Sequence, residues 1–150
     1  MKNILAIPKY QIVILVLITC AVYAPVVGNN FLYTWDDQIM IINHYTSGGY
    51  HFSNLKSLCT DFYEGQYAPL LHINTLLLYS IDKYNPVVFH LGSLLWQMGN
   101  VLLIWLFIKK LLLLRKEAVP VSIPAIAFLT AVIFAIHPIN VEAVTWLSMP

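Results

Sequence analysis

A chain of 150 residues in which 59% of positions are hydrophobic and only 10% charged has too few polar side chains to cover a soluble globule of its size. With a mean hydropathy of +0.73 and long apolar runs, it reads as a membrane protein. The net charge of +1 hides segregation: Lys2, Lys9, Lys109, Lys110, Arg115 and Lys116 flank apolar segments, and only Lys56 and Lys83 lie elsewhere, so there is no basic face for a nucleic acid.

Residues 10–28 are apolar apart from Gln11, Thr19 and Cys20. As a helix they cover about 28 Å, roughly one hydrocarbon core. Lys2 and Lys9 followed by Val22-Tyr23-Ala24 loosely resemble a signal peptide, but Pro25 disfavours cleavage, and Thr19 before Cys20 fits a lipoprotein signal poorly. The segment is read as an uncleaved first transmembrane helix. Residues 29–85 form a polar and aromatic stretch carrying Asp36, Asp37, Asp61, Glu64 and Asp82, five of the seven acids. Within this loop, residues 69–81 are apolar but short and interrupted by His72 and Asn74, which predicts a helix in the membrane interface. Residues 86–108 predict a second span with Pro86 in its first turn and Gln97 and Asn100 turned toward other helices. A basic hairpin, 109–116, follows. A third span is predicted at about 120–136, with Pro120 and Pro124 in its first turns, ending at His137-Pro138. Asn140 is positioned to cap a helix starting at Val141. The positive-inside rule places the N-terminus and 109–116 in the cytoplasm and 29–85 and 137–150 outside. The expected architecture is an all-α polytopic membrane protein with about three transmembrane helices and an interfacial helix in its first extracytoplasmic loop. The chain ends at Pro150 soon after the third span, which suggests the N-terminal part of something longer. Cys20 in an apolar run and Cys59 in a polar loop do not predict a disulfide.

The candidate chemistry centres on Asp36 and Asp37, in the run Phe31-Leu32-Tyr33-Thr34-Trp35-Asp36-Asp37. If the run is extended, Phe31, Tyr33, Trp35 and Asp37 share one face; if helical, the two carboxylates diverge by about 100 degrees. A carboxylate at an apolar boundary can take the proton of an attacking hydroxyl, and the neighbouring rings suit the faces of sugars. Interfacial anchoring by Trp and Tyr, with the acids capping helices, explains the same residues without chemistry. In His137-Pro138-Ile139-Asn140-Val141-Glu142, Glu142 suits either a helix first turn or a binding role. The five histidines, at 44, 51, 72, 90 and 137, lack the spacing of a helical zinc pair, and no cofactor is predicted. A divalent metal between Asp36 or Asp37 and Glu142 stays open.

The order of these features carries a resemblance. Trp35-Asp36-Asp37 with Asn43, then Tyr67-Ala68-Pro69-Leu70, Asn85-Pro86 with Phe89-His90-Leu91 and Asn100, and finally His137-Pro138-Ile139-Asn140-Val141-Glu142-Ala143-Val144 resemble the N-terminal region of GT-C-superfamily membrane glycosyltransferases. The pattern is similar to that of tetratricopeptide-repeat proteins related to protein O-mannosyltransferases, including bacterial members. It extends over roughly residues 10–146, and the last stretch is the most specific. The resemblance implies a partial GT-C fold in a multi-pass protein of a bacterial inner membrane. It also implies inverting transfer of a sugar from a polyprenyl-phosphate carrier to a hydroxyl of a protein or glycan acceptor on the extracytoplasmic face. Asp37 or Asp36 matches the catalytic carboxylate, with Trp35, Glu142, His137 and Lys56 on the substrate side. Ala68 stands where relatives often carry Arg, and Ser148-Met149-Pro150 replaces a Ser-Gly-Arg type continuation. Three spans are too few to enclose such a site, so this polypeptide alone is expected to be inactive. The rival expectation is a small noncatalytic membrane scaffold or partner subunit. A transporter half fits less well, because no acid lies in a span.

Overall fold

Eight α-helices and no strand make up the described part of the chain, residues 7–114 and 122–148 of this computed structural model. Two helical segments, Pro8–Gly28 and Pro86–Leu113, are long and apolar enough to cross a membrane. A third crossing is available if the bent pair Ile123–Ile136 and Ile139–Thr145 counts as one. The all-α membrane reading therefore holds. Lys2, Arg115, Lys116 and the predicted start of the third span at 120 lie outside the described residues, as do Met149 and Pro150.

The first helix, α1 (Pro8–Tyr23), opens with Pro8 in its first turn and tightens into a 3-10 segment over Ala24–Gly28, where Pro25 interrupts the α-helical pattern. Four helices occupy the stretch expected to be one long loop with a single helix: α2 (Asp37–Met40), α3 (His44–Ser47), α4 (Phe52–Thr60) and α5 (Pro69–Asp82). Only α5 was signalled by apolar content; the others are too short or too polar to show a period. The second long helix, α6 (Pro86–Leu113), overruns its predicted end at 108. Leu and Lys are strong helix formers, and cations are favoured near a helix C-terminus, so the expected hairpin is helical as far as Leu113. Lys109 lies 4.9 Å from the centre of the Trp105 ring one turn back. Next, α7 (Ile123–Ile136) measures about 21 Å, shorter than a bilayer core, and turns by 60° into α8 (Ile139–Thr145).

The chain divides into two units, residues 7–25, 94–114 and 122–144, and residues 26–93 and 145–148. In the first, Ala127, Ala131 and Ala135 are fully buried in one core with Leu15 of α1 and Val101 and Trp105 of α6. Alanines four apart line one face of α7 and let neighbouring backbones approach closely, the usual means of helix association where lipid removes the hydrophobic drive. Gln11, also fully buried, joins all three helices: its Nε2 donates to the Pro124 carbonyl at 3.0 Å, and its Oε1 accepts from Trp105 Nε1 at 2.9 Å. Of the two polar residues expected to face other helices, Gln97 is buried and Asn100 is exposed. An i, i+3 pair is offset by about 60° around the helix, enough to place one inside and one out.

In the second unit, α3, α4 and α5 pack around Tyr45, Leu58 and Leu76, while Phe31, Ile41, Phe89 and Leu147 form a separate core. Leu78 of α5 presses directly on Gly92 of α6: a Cβ there would come within 2.8 Å of Leu78 Cδ1. Between α4 and α5, Tyr63 and Gln66 exchange backbone hydrogen bonds of 3.0 and 2.9 Å across Glu64 and Gly65. Both central residues have positive φ, 47° and 76°, as a two-residue reverse turn of this hand requires. Asn43 is a double cap: its Nδ2 donates to the carbonyls of Ile39 and Met40, both at 2.9 Å, and its Oδ1 accepts from Thr46 N at 3.0 Å, ending α2 and starting α3.

Candidate functional site

Asp36 and Asp37 part company because the backbone turns helical between them. Asp36, at the N-cap of α2 with φ −61° and ψ −20°, is exposed and makes no side-chain cap. Asp37, one residue into the helix, is 2% exposed. The shared face expected for an extended run is absent: Phe31 is buried, while Tyr33 and Trp35 are more than half exposed. Asp37 therefore differs from Asp36 through helical divergence rather than through alignment with the rings. Its Oδ2 accepts from the Leu32 N–H at 2.9 Å, closing the turn that leads into α2. Its Oδ1 is buried without a hydrogen-bond partner. A carboxylate oxygen removed from water and left unpaired costs on the order of 1–3 kcal/mol or more, so such an atom calls for a ligand, a water or a protein donor.

Three further unpaired polar residues lie in the same unit as Asp37. His90, 2% exposed, follows core residue Phe89 and presents two ring nitrogens without a well-aligned partner. The main chain of Asn29 and the charge of Asp37 are the polar influences on it. Trp146 Nε1 and Ser148 Oγ, on either side of core residue Leu147, are likewise buried and unpaired. Trp35 meets Trp146 edge to face, with ring centres 5.6 Å apart, and keeps much of its own indole open to solvent. An acceptor, an imidazole, an indole N–H and a hydroxyl are thus enclosed without a well-aligned partner in one unit. His90 did not stand out as a site residue in the sequence; the available signal was a titratable side chain inside an apolar run.

A second polar cluster is structural in character. His44, Tyr45, Tyr63 and His72 stack or meet edge to face with centres between 4.0 and 5.9 Å. Tyr45 Oη donates to Asp61 Oδ2 at 3.1 Å. The Thr60 hydroxyl first, and then that of Tyr45, holds the Asp61 carboxyl below its ordinary range. Burial, and secondarily the charge of His44, pushes His72 below its usual 6.5. The folded chain keeps this imidazole neutral, whereas the unfolded chain takes up a proton near 6.5, so acid favours unfolding. The protection factors of amides in α3 and α5, corrected for the intrinsic slowing of exchange in acid, are therefore expected to fall as pH drops below about 6.5, and His72→Phe should flatten that dependence.

The remaining expected site residues have other placements. Lys56 is an exposed residue of α4, and its carbonyl accepts from Thr60. Glu142 is exposed in the first turn of α8. The helix starts at Ile139 rather than Val141, and Asn140 caps backwards, its Nδ2 donating to the Phe134 carbonyl at 2.6 Å at the end of α7. His137 Nδ1 accepts from the Ile139 N–H at 3.2 Å. His137 and Asn140 thus shape the bend between α7 and α8. The described residues contain no group of three His, Cys, Asp or Glu side chains arranged to hold a metal, and Cys20 and Cys59 are both free.

No family model, curated protein or solved structure matches this chain.

Proposed function

We propose that this chain is a membrane glycosyltransferase, or the N-terminal part of one, that moves a sugar from a polyprenyl-phosphate carrier to an acceptor hydroxyl on the extracytoplasmic face. The observation that carries this reading is Asp37, a carboxylate 2% exposed with one oxygen unpaired, in the polar and aromatic segment that follows the first apolar helix. Helix capping accounts poorly for it, because α2 has only four residues and Oδ2 is committed to a loop N–H. In the proposed step Oδ1 takes the proton of the acceptor hydroxyl, the freed oxygen pair attacks the anomeric carbon, and the phosphate leaves with the electrons of the broken C–O bond. The carrier's tail stays in lipid while the sugar reaches the interface. The exposed indole of Trp35 offers a face to a sugar ring, and α5 lies along the interface. The noncatalytic alternative draws support from the 137–142 segment, where His137 and Asn140 already have capping duties.

The N-terminus is assigned to the cytoplasm and the 29–85 segment to the outside. Exposed Cys59 is therefore expected to react with an impermeant maleimide added to intact cells, whereas Ser122→Cys in a Cys59→Ser background should react only after permeabilisation. The opposite pattern reverses the topology. Sugar transfer itself is tested with membranes containing the full-length protein, a synthetic polyprenyl-phosphate hexose and acceptor peptides or glycans. Transfer dependent on Asp37 supports the enzyme; product formation unchanged by Asp37→Asn removes it.

A further inference from the structure

Burial has left an acceptor without a donor and a donor without an acceptor in the same unit. Asp37 Oδ1 has no hydrogen-bond partner, and neither ring nitrogen of His90 has a well-aligned one; each residue is 2% exposed. Phe31, next to the Leu32 whose N–H holds Asp37 Oδ2, packs edge to face on Phe89, next to His90, at 5.3 Å. This contact sets α6 beside the turn that carries the carboxylate. Asn29, at the start of the same turn, brings its main chain to the imidazole. A neutral imidazole offers one N–H and one lone pair, so it can serve Asn29 on one side and Asp37 on the other. Leaving both groups unmatched would cost more than bridging them through one water.

We propose that His90 is the positioning residue of Asp37, an imidazole that steadies the carboxylate at Oδ1 through a bridging water in the resting protein and keeps it aimed when an acceptor hydroxyl arrives. Its role in transfer rests on the glycosyltransferase reading; the coupling of the two side chains does not. The arrangement explains why a histidine sits at a fully enclosed point of an apolar helix, where Leu would pack at lower cost. It also explains how a carboxylate on a four-residue helix keeps a fixed direction: the loop N–H of Leu32 holds one oxygen, and the bridged imidazole of α6 steadies the other.

The coupling is read by the ring nitrogen shifts of His90 in histidine-labelled full-length protein in lipid nanodiscs, assigned by their loss in His90→Gln. Asp37→Asn is expected to change the His90 nitrogen pair, because the partner oxygen loses its charge, whereas Asp36→Asn should leave it as in the wild type. An unchanged pair in Asp37→Asn, or equal changes in both variants, overturns the proposal. Should His90→Gln fail to fold, the Asp37→Asn and Asp36→Asn spectra still decide. In the transfer assay His90→Gln is expected to lower kcat by at least about tenfold, a fraction of what general-base catalysis supplies, with KM little altered. Coupled spectra with an unaltered kcat would overturn the positioning role. Coupled spectra without transfer from any carrier in the wild type would overturn the function and leave the side-chain couple standing.

Discussion

Asn at position 37 is expected to lower sugar transfer by about a hundredfold or more, the contribution of a placed general base, while Asn at position 36 retains most of it. The two variants differ from the wild type by the same atoms, so the contrast isolates position. Asp37→Asn can still accept the Leu32 N–H through its amide oxygen, which preserves the turn, but it has no carboxylate oxygen to take a proton. Asp36→Asn alters an exposed side chain with no cap to lose. Both are measured as initial rates of product formation at matched expression. Equal losses would return both acids to a surface or anchoring role, and full activity in both would remove the base assignment altogether. The contrast inverts the usual intuition about an adjacent acidic pair, in which the more accessible member meets the substrate.

Ala131→Leu should be the most damaging single change in the first unit. Ala131 is fully buried in the core that α7 shares with Leu15 and with α6. Three extra carbons there force the helices apart or drive side chains off their rotamers, a cost of about 1–3 kcal/mol. Parting the helices also strains the Gln11 bridge, which depends on Pro124 and Trp105 being within reach together. The expected readout is a lower midpoint of unfolding by denaturing detergent in lipid micelles, followed through tryptophan fluorescence. Ile133→Leu, on a face that is 60% exposed, should leave the midpoint unchanged. Equal midpoints for Ala131→Leu and the wild type would mean that the alanine face does not hold α7 in place.

Much of the fold was legible because lipid imposes a strong rule: a spanning segment must be long, apolar and helical, and those properties are written in consecutive residues. Helix α5 was legible for a similar reason, since its apolar content stands out in a polar stretch. The short helices α2, α3 and α4 were not, because Asn43 builds two helix ends at once by reaching backward to Ile39 and Met40 and forward to Thr46. Asn140 misled in the same way: its residue type signals a cap, but its side chain bonds behind it to α7 rather than ahead to α8.

By itself, the order of residues determined an all-helical chain with apolar helices long enough to cross a membrane, and the position of its polar segment and acidic pair after the first of them. Only the tertiary structure decided which acid is enclosed and which faces water, and that His90 is sealed into the same unit without a well-aligned partner. The reason is that burial is a property of contacts between distant segments. A turn of about 100° per residue separates Asp36 from Asp37, but it takes Phe31 against Phe89, and so α6 beside the loop, to make one of those directions the inside.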